Sequence, residues 1–160
     1  MSEFRIEKRR AAAALTLSTG RVARGCFFLA GFRASHNSPE RVADLLNAEA
    51  GFFPFEVDAE GGTQTVLYNK AQVVEVRLLQ DTGEAHLDPG YDVATERGVR
   101  ILLSTGQTVA GHVRVCRPEG HDRLSDYARS PDLFRYVETS EGTVILNSAH
   151  IVELRETSPT

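Results

Sequence analysis

The feature that most constrains this chain is an internal repetition of short sequence blocks. Leu17-Ser18-Thr19-Gly20 recurs 86 residues later as Leu103-Ser104-Thr105-Gly106. An Arg-x-x-Asp block then recurs 82 residues later, and the block Thr-Val-x-x-Asn-x-Ala at residues 65–71 recurs 78 residues later at residues 143–149. Both decreases in the offset fall in predicted loops, where insertions are tolerated. Three collinear blocks therefore predict two copies of one structural unit.

Each copy is predicted to contain two strands, a short helix and then three strands. The runs are short, apolar or alternating, and bounded by turn residues, which is typical of strands. Gly20 and Gly106 follow Ser-Thr at the first hairpin, where a positive φ is easiest for glycine. The predicted strands are 15–19, 22–32, 52–57, 64–69 and 73–78 in the first copy, and 99–104, 108–116, 133–138, 142–147 and 151–155 in the second.

The inserted helix is indicated by capping residues and by apolar spacing. In the first copy, a serine, a proline and a glutamate precede an i, i+3, i+4 stripe formed by Val42, Leu45 and Leu46. In the second copy, Asp122 is the predicted cap and Leu124 begins the stripe. Because such a short helix is unstable alone, we expect each one to plug an end of its barrel.

The distribution of charge suggests how the copies are connected. The net charge is -4, and residues 78–98 alone hold five acidic groups and one basic group. This segment has no hydrophobic period and is predicted to be a linker. The predicted domains are an N-terminal extension at 1–14, a first barrel at 15–79, an acidic linker at 80–98, a second barrel at 99–156 and a tail at 157–160.

Charge and hydropathy also limit the classes of partner. Neither copy has the strongly basic surface that phosphate binding requires, so nucleic acid is disfavoured as a partner. If RNA does bind, the basic residues that accumulate at residues 8–10, with Arg21 and Arg24, are the expected contacts. No run of about 18 apolar residues predicts a membrane span, and the N-terminus has no apolar signal region, so a cytoplasmic protein is expected.

The repeated blocks resemble the opening and closing strands of Sm-like domains, which belong to the SH3-like barrels. The opening is the Leu-Ser-Thr-Gly block followed by Gly25 or Gly111, and the closing is Thr65 to Asn69 or Thr143 to Asn147. The resemblance implies a mainly β fold of two tandem small barrels, each with a short helix inserted between its second and third strands. The chain is also similar to uncharacterised bacterial domains of this shape.

The closing turn separates this chain from RNA-binding Sm-like proteins, which carry an arginine-glycine pair there. This chain has Asn69-Lys70 in the first copy and Asn147-Ser148 in the second. Asparagine is favoured in such a turn because its side chain hydrogen-bonds nearby backbone. A structural role is therefore expected for these residues, with ligand binding as the alternative that the resemblance implies.

The recurring Arg-x-x-Asp block supplies the second group of candidate residues. The arginine and the aspartate are three residues apart, a spacing that permits an ion pair on a helix surface. A structural role that ties the helix to the barrel is expected, and ligand binding is again the alternative. The residues are Arg41, Asp44, Arg123 and Asp126.

Catalytic and metal-binding motifs are missing from the sequence. The five histidines are scattered, and no nucleophile set, phosphate-binding glycine loop or carboxylate pair is recognisable. We therefore predict no enzyme activity, no cofactor and no metal site. The expected function is binding or scaffolding through a protein partner or self-association, with an RNA-binding Sm-like protein as the alternative.

Overall fold

The computed structural model describes residues 8–30, 40–79, 95–115 and 132–157 together with Leu124 and Ala128. A short 3-10 turn precedes the fifth strand at Lys70–Gln72, and another precedes the last strand at Ser148–His150. The prediction of a mainly β chain is confirmed. In chain order, the strands and the helix are β1 Lys8–Leu17, β2 Val22–Ala30, α1 Val42–Ala48, β3 Phe52–Ala59, β4 Gly62–Asn69, β5 Val73–Leu78, β6 Thr95–Leu103, β7 Thr108–Val115, β8 Phe134–Thr139, β9 Gly142–Asn147 and β10 Ile151–Glu156.

Two strands begin four or more residues earlier than the sequence predicts. β1 begins at Lys8 and not at residue 15, because its run of alanines pairs with the long β2, from Lys8 opposite Ala30 to Thr16 opposite Val22. Alanine has little intrinsic preference for strands, so this extension depends on the neighbouring strand. β6 begins at Thr95 and thus includes the last four residues of the segment predicted as a linker at 80–98.

The ten strands of the described residues lie in one antiparallel sheet, in the order β10-β6-β7-β8-β9-β5-β1-β2-β3-β4. Residues 8–79, here called the first half, contribute the order β5-β1-β2-β3-β4, and residues 95–157, the second half, contribute β10-β6-β7-β8-β9. The two halves thus present the same order of strands, joined where β5 pairs with β9. The sheet is not closed, because β4 and β10 lie at its opposite ends.

The buried side chains form two clusters, and each cluster includes residues from the other half. The first surrounds Phe27, whose ring centroid lies 5.4 Å from that of Phe53, and it contains Phe134 and Ile145 of the second half. The second cluster lies in the second half and contains Val74 of β5. Burial of apolar side chains across the β5–β9 contact therefore couples the two halves.

The recurring glycine after the first hairpin is explained by a close approach between strands. A Cβ atom at Gly25 would lie 1.8 Å from the carbonyl oxygen of Glu56 in β3, and one at Gly111 would lie 2.3 Å from that of Glu138 in β8. Any larger residue would push the third strand of its half away. This requirement explains why both sequence blocks contain glycine at this position.

The helix α1 packs on the first cluster through the predicted stripe, to which Ala43 is added. Val42, Ala43 and Leu46 are buried, whereas Leu45 is only half-buried. α1 begins at Val42 with Arg41 in the N-cap position, so the predicted start at the serine, proline and glutamate is wrong. Of the second predicted helix the structure describes only Leu124 and Ala128, and its predicted cap Asp122 lies outside the described residues.

Candidate protein interface

The contact between the halves, here called the junction, is built on a short antiparallel ladder. Val76 of β5 lies opposite Ile145 of β9, flanked by Glu75 opposite Leu146 and by Arg77. Ile145 is completely buried by this contact. The junction thus combines backbone hydrogen bonds with apolar burial, as in the interior of a single sheet.

Asn147, one of the predicted site residues, joins the two 3-10 turns across the junction. Its Oδ1 accepts a hydrogen bond from the backbone of Ala149, which caps its own turn, at 3.0 Å. Its Nδ2 donates to the carbonyl oxygen of Val73 at 2.9 Å and to that of Lys70 at 3.4 Å. The side chain is fully buried and its hydrogen-bonding capacity is used by the protein itself.

His150 adds a second hydrogen-bonded link between the turns. Its Nε2 lies 2.7 Å from the carbonyl oxygen of Ala71, and its Nδ1 lies 2.8 Å from Oγ of Ser104. Because a carbonyl oxygen only accepts, Nε2 carries the proton that it donates to Ala71. In the neutral form of the ring, Nδ1 then accepts from the Ser104 hydroxyl, so the junction sets the tautomer of that form.

The helix α1 also contacts the second half. Nδ2 of Asn47 donates to the carbonyl oxygen of Phe134 at 2.9 Å, and the backbone N–H of Phe134 donates to Oδ1 of Asn47 at 2.8 Å. The guanidinium carbon of Arg41 lies 5.8 Å from the centre of the Tyr136 ring, which is a cation–π distance. The contacts of Asn47 are not predicted from the sequence, since Asn47 lies outside the repeated blocks.

The predicted pair of Arg41 and Asp44 is present at the start of α1. Nη2 of Arg41 donates to Oδ1 of Asp44 at 2.9 Å, and the backbone N–H of Arg41 donates to Oδ2 at 3.0 Å. The carboxylate therefore satisfies a free N–H at the helix start. Arg123 and Asp126, the corresponding pair, lie outside the described residues.

Lys70 differs from the exposed ligand-binding residue that the resemblance implies. Its Nζ donates to the carbonyl oxygens of Leu45 at 2.8 Å and of Glu49 at 2.6 Å, at the end of α1. The side chain is buried, and this burial lowers the pKa of its ammonium group. Lys70 thus holds the end of the helix against the turn before β5.

The other predicted residues of the closing turns make local contacts. Oδ1 of Asn69 accepts from the backbone N–H of Ala71 at 3.0 Å, as Asn147 does in its own turn. The backbone N–H of Ser148 donates to the carbonyl oxygen of Leu133 at 2.7 Å. The junction therefore brings Asn147 to the backbone of the turn that contains Lys70, whereas Asn69 caps that turn from the end of the outermost strand β4.

The two outer strands expose side chains whose counterparts are buried in the junction. On the β4 side, Phe52 is 65% exposed and Leu67 is 64% exposed, while Phe134 and Ile145, 82 and 78 residues later, are 2% and 0% exposed. On the β10 side, Val152 is 65% exposed, while the residue 78 positions earlier, Val74, is completely buried. These three residues were not identified as candidates from the sequence, because the sequence does not show which edge of the sheet is covered by another strand.

The chain matches no protein-family model, no curated protein and no solved structure. Among the residues that the structure describes, no three metal-binding side chains cluster together. The described part of the chain also contains no helix of the length and hydrophobicity needed to cross a bilayer. The function is therefore argued from the exposed strand edges and the junction.

Proposed function

We propose that this chain is a non-catalytic scaffold made of two Sm-like barrels, derived from one duplicated unit, that assembles with further copies of itself. The observation that carries the proposal is the contrast between the buried junction and the two exposed outer edges. Each outer edge displays apolar residues where the corresponding position in the junction is buried. An exposed strand edge of this kind is a template for pairing with another chain.

The β4 edge matches the surface that β9 presents inside the chain. Phe52 and Leu67 correspond to Phe134 and Ile145, which pack into the core cluster of the first half. An edge with those side chains is suited to the same kind of neighbour, namely a strand resembling β5. β10 is that strand by position in the repeat, and it is unpaired on its outer side among the described residues.

The junction also supplies the register of the proposed contact. Val76 lies opposite Ile145 within the chain, and the corresponding residues on the outer edges are Leu154 in β10 and Leu67 in β4. We therefore expect Leu154 of one copy to lie opposite Leu67 of the next. Backbone pairing and apolar burial would then repeat the junction between chains.

This contact joins two different surfaces, so the assembly is head-to-tail. A head-to-tail contact leaves each new copy with one free β4 edge and one free β10 edge, and growth stops only when a ring closes. An isologous dimer, by contrast, would pair β4 with β4 or β10 with β10. The two arrangements predict different behaviour for variants altered at one edge.

The basic residues near the N-terminus favour protein contacts over RNA. Nη2 of Arg9 donates to the carbonyl oxygen of Glu40 at 2.8 Å, and Nη1 of Arg10 lies 2.8 Å from Oε1 of Glu56. These guanidinium groups are thus engaged within the first half. Weak or absent binding in a low-salt titration with poly-uridine RNA is the expected result, and tight binding that persists in salt would support the RNA alternative.

Light scattering after size-exclusion chromatography tests the proposal with one variant at each edge. Leu67→Arg alters only the β4 edge, and Val152→Arg alters only the β10 edge. The unaltered chain is expected to exceed the 17.6 kDa of a single copy, whereas each variant alone is expected to elute as a single copy. An equimolar mixture of the two variants should form a dimer, because one intact edge of each type remains. Leu79→Arg, at an exposed position away from both outer strands, is the matched control and should assemble normally.

Two results would contradict the proposal. If the unaltered chain is a single copy at high micromolar concentration, the outer edges do not bind one another. If Val152→Arg alone dimerises through its intact β4 edge, the contact is isologous and the head-to-tail arrangement is wrong. Circular dichroism of each variant confirms that a loss of assembly is not a loss of folding.

A further inference from the structure

A cavity of about 380 Å³ lies on the outer face of the first half, beside the turn between β6 and β7. Its lining includes Thr16 and Arg24 from β1 and β2, Glu75 and Arg77 from β5, and Gln107 from the turn of the second half. The volume is within the range of sites that hold small molecules. This cavity is separate from the exposed edges on which the proposed assembly depends.

Strand register fixes how the charged residues are arranged. Ala14 of β1 pairs with Arg77 on one side and with Arg24 on the other, so the three residues form one row across the sheet. In the next row, Thr16 lies beside Glu75. Because neighbouring strands are about 4.8 Å apart, the two arginines are separated by about 10 Å at the backbone, with only a methyl group between them.

Glu75 differs from the other residues of this group because its carboxylate is buried although one of its oxygens lacks a hydrogen bond. Its side chain is 3% exposed, and Oε1 lies 3.5 Å from Nη2 of Arg77. Oε2 has no hydrogen-bond partner among the residues that the structure describes. Nη1 of Arg77 is also bound to Glu141 at 2.9 Å, so Arg77 is shared between two carboxylates. Burying an acceptor without a hydrogen bond costs free energy of folding. A donor that enters the cavity would remove this cost.

Arg24, which also lines the cavity, provides the opposite charge. The side chain is exposed, and it forms no ion pair with any other described residue. Its guanidinium group is therefore available to an anionic group, which it binds best in a bidentate geometry. The cavity thus offers one unsatisfied acceptor and one available cation.

The fold itself does not require this combination of residues. The positions that correspond to Ala14, Thr16 and Arg24 in the second half are Arg100, Leu102 and Ala110. These strands nevertheless pair in the same register. Glu75 and Arg77 recur as Glu153 and Arg155, but the second half forms the same ladders with Ala110 at the position of Arg24, so Arg24 is not needed to build the strands.

We propose that this cavity binds a small zwitterion with the chemistry of a free α-amino acid, its ammonium group on Glu75 and its carboxylate on Arg24 and Arg77. A simple anion would place its charge beside the buried carboxylate, and a simple cation would lie beside two arginines. A zwitterion satisfies both groups and leaves no buried charge without a partner. Gln107 and the Thr16 hydroxyl then supply additional hydrogen-bonding groups to the same molecule.

Differential scanning fluorimetry and calorimetry with individual free amino acids test this assignment on the full chain. At least one amino acid is expected to raise the melting temperature and to bind saturably, whereas acetate alone and methylammonium alone should not. Glu75→Gln keeps the shape of the side chain and is expected to weaken binding about tenfold or more. Arg24→Ala should weaken it similarly, and because Arg24 is exposed this variant is expected to fold normally.

Glu153→Gln is the matched control, since Glu153 corresponds to Glu75 in the second half but its side chain is 40% exposed. It should bind the amino acid as the unaltered chain does. Failure of all free amino acids to bind would overturn the assignment, as would unchanged binding by both Glu75→Gln and Arg24→Ala. Acetate that binds as tightly as the amino acids would overturn the zwitterionic class. None of these outcomes depends on whether the chain assembles, because Leu67→Arg can be used as a single-copy background.

Discussion

The two halves of this protein have the same strand order, but their equivalent edges have different surroundings. The β9 edge is buried against β5, whereas the corresponding β4 edge exposes Phe52 and Leu67. The residues in the two edges are similar in size and hydrophobicity. Whether these side chains are buried is thus decided by the neighbouring strand and not by the residue type. The buried residues of one half therefore indicate what kind of neighbour the exposed residues of the other half could pack against.

The largest difference is expected between Phe134 and Phe52. Phe134→Ala removes a buried ring from the junction and should lower the free energy of unfolding by about 3–5 kcal/mol. Phe52→Ala removes an exposed ring and should change it by about 0.5 kcal/mol or less. Chemical denaturation measures both losses, with Val152→Arg present in each variant to keep the chain as a single copy. Equal losses would show that the two edges do not differ in burial as described.

A smaller difference is expected between the two turn asparagines. Both accept a hydrogen bond from the N–H two residues later, so each alanine variant loses this cap. Only Asn147 also donates to carbonyl oxygens across the junction. Asn147→Ala should therefore cost about 1–3 kcal/mol more than Asn69→Ala, because it leaves buried carbonyl groups without a donor. Thermal unfolding of the two variants gives the comparison, and a similar loss for both would mean that the cap alone matters.

The smallest expected effect concerns Glu75 and depends on pH. Burial raises the pKa of this carboxyl above its ordinary value of 4.5, and the nearby Arg77 offsets the shift only in part. The folded state therefore binds the proton more tightly than the unfolded state, and stability falls as the pH rises above about 4.5 toward the raised pKa. Glu75→Gln should melt at a higher temperature than the unaltered chain at neutral pH, and this gain should disappear in acid.

Melting curves recorded between acid and neutral pH test whether stability falls as the pH rises, with Glu153→Gln as the control in the second half. This control removes the carboxylate at the corresponding position, where the side chain is 40% exposed. If Glu75→Gln is less stable than the unaltered chain at neutral pH, the carboxylate is stabilised by its surroundings and the direction of the shift is wrong.

The local structure of the strands was largely predictable from the sequence. The strands from Phe52 onward in the first half, and all but the first strand in the second, begin within two residues of the predicted positions. Glycine at the turns and alternation within the strands carry this information, because both depend on neighbouring residues in the chain. The early start of β1 was missed, since a run of alanines becomes a strand only when β2 lies beside it.

The candidate sites were less predictable, because their properties depend on burial. The turn asparagines and Lys70 were identified as polar residues at a notable position, but only the structure showed that Lys70 is buried against the end of α1. The sequence does not distinguish Glu75 from Glu153, since both occupy the same position in an identical Val-Glu-x-Arg block. One of these two carboxylates is buried and the other is exposed.

The sequence by itself determined the strand and turn pattern of each half, because alternation, glycine positions and caps act within a few residues. Tertiary structure decided which edges meet. Within the first half alone, β5 and β4 each have one side without a paired strand, and no local signal distinguishes the strand that pairs with β9 from the one that remains outermost. That choice is made when the halves dock and bury Val74, Phe134 and Ile145 together, since a contact between distant segments gains its free energy only after both surfaces are formed.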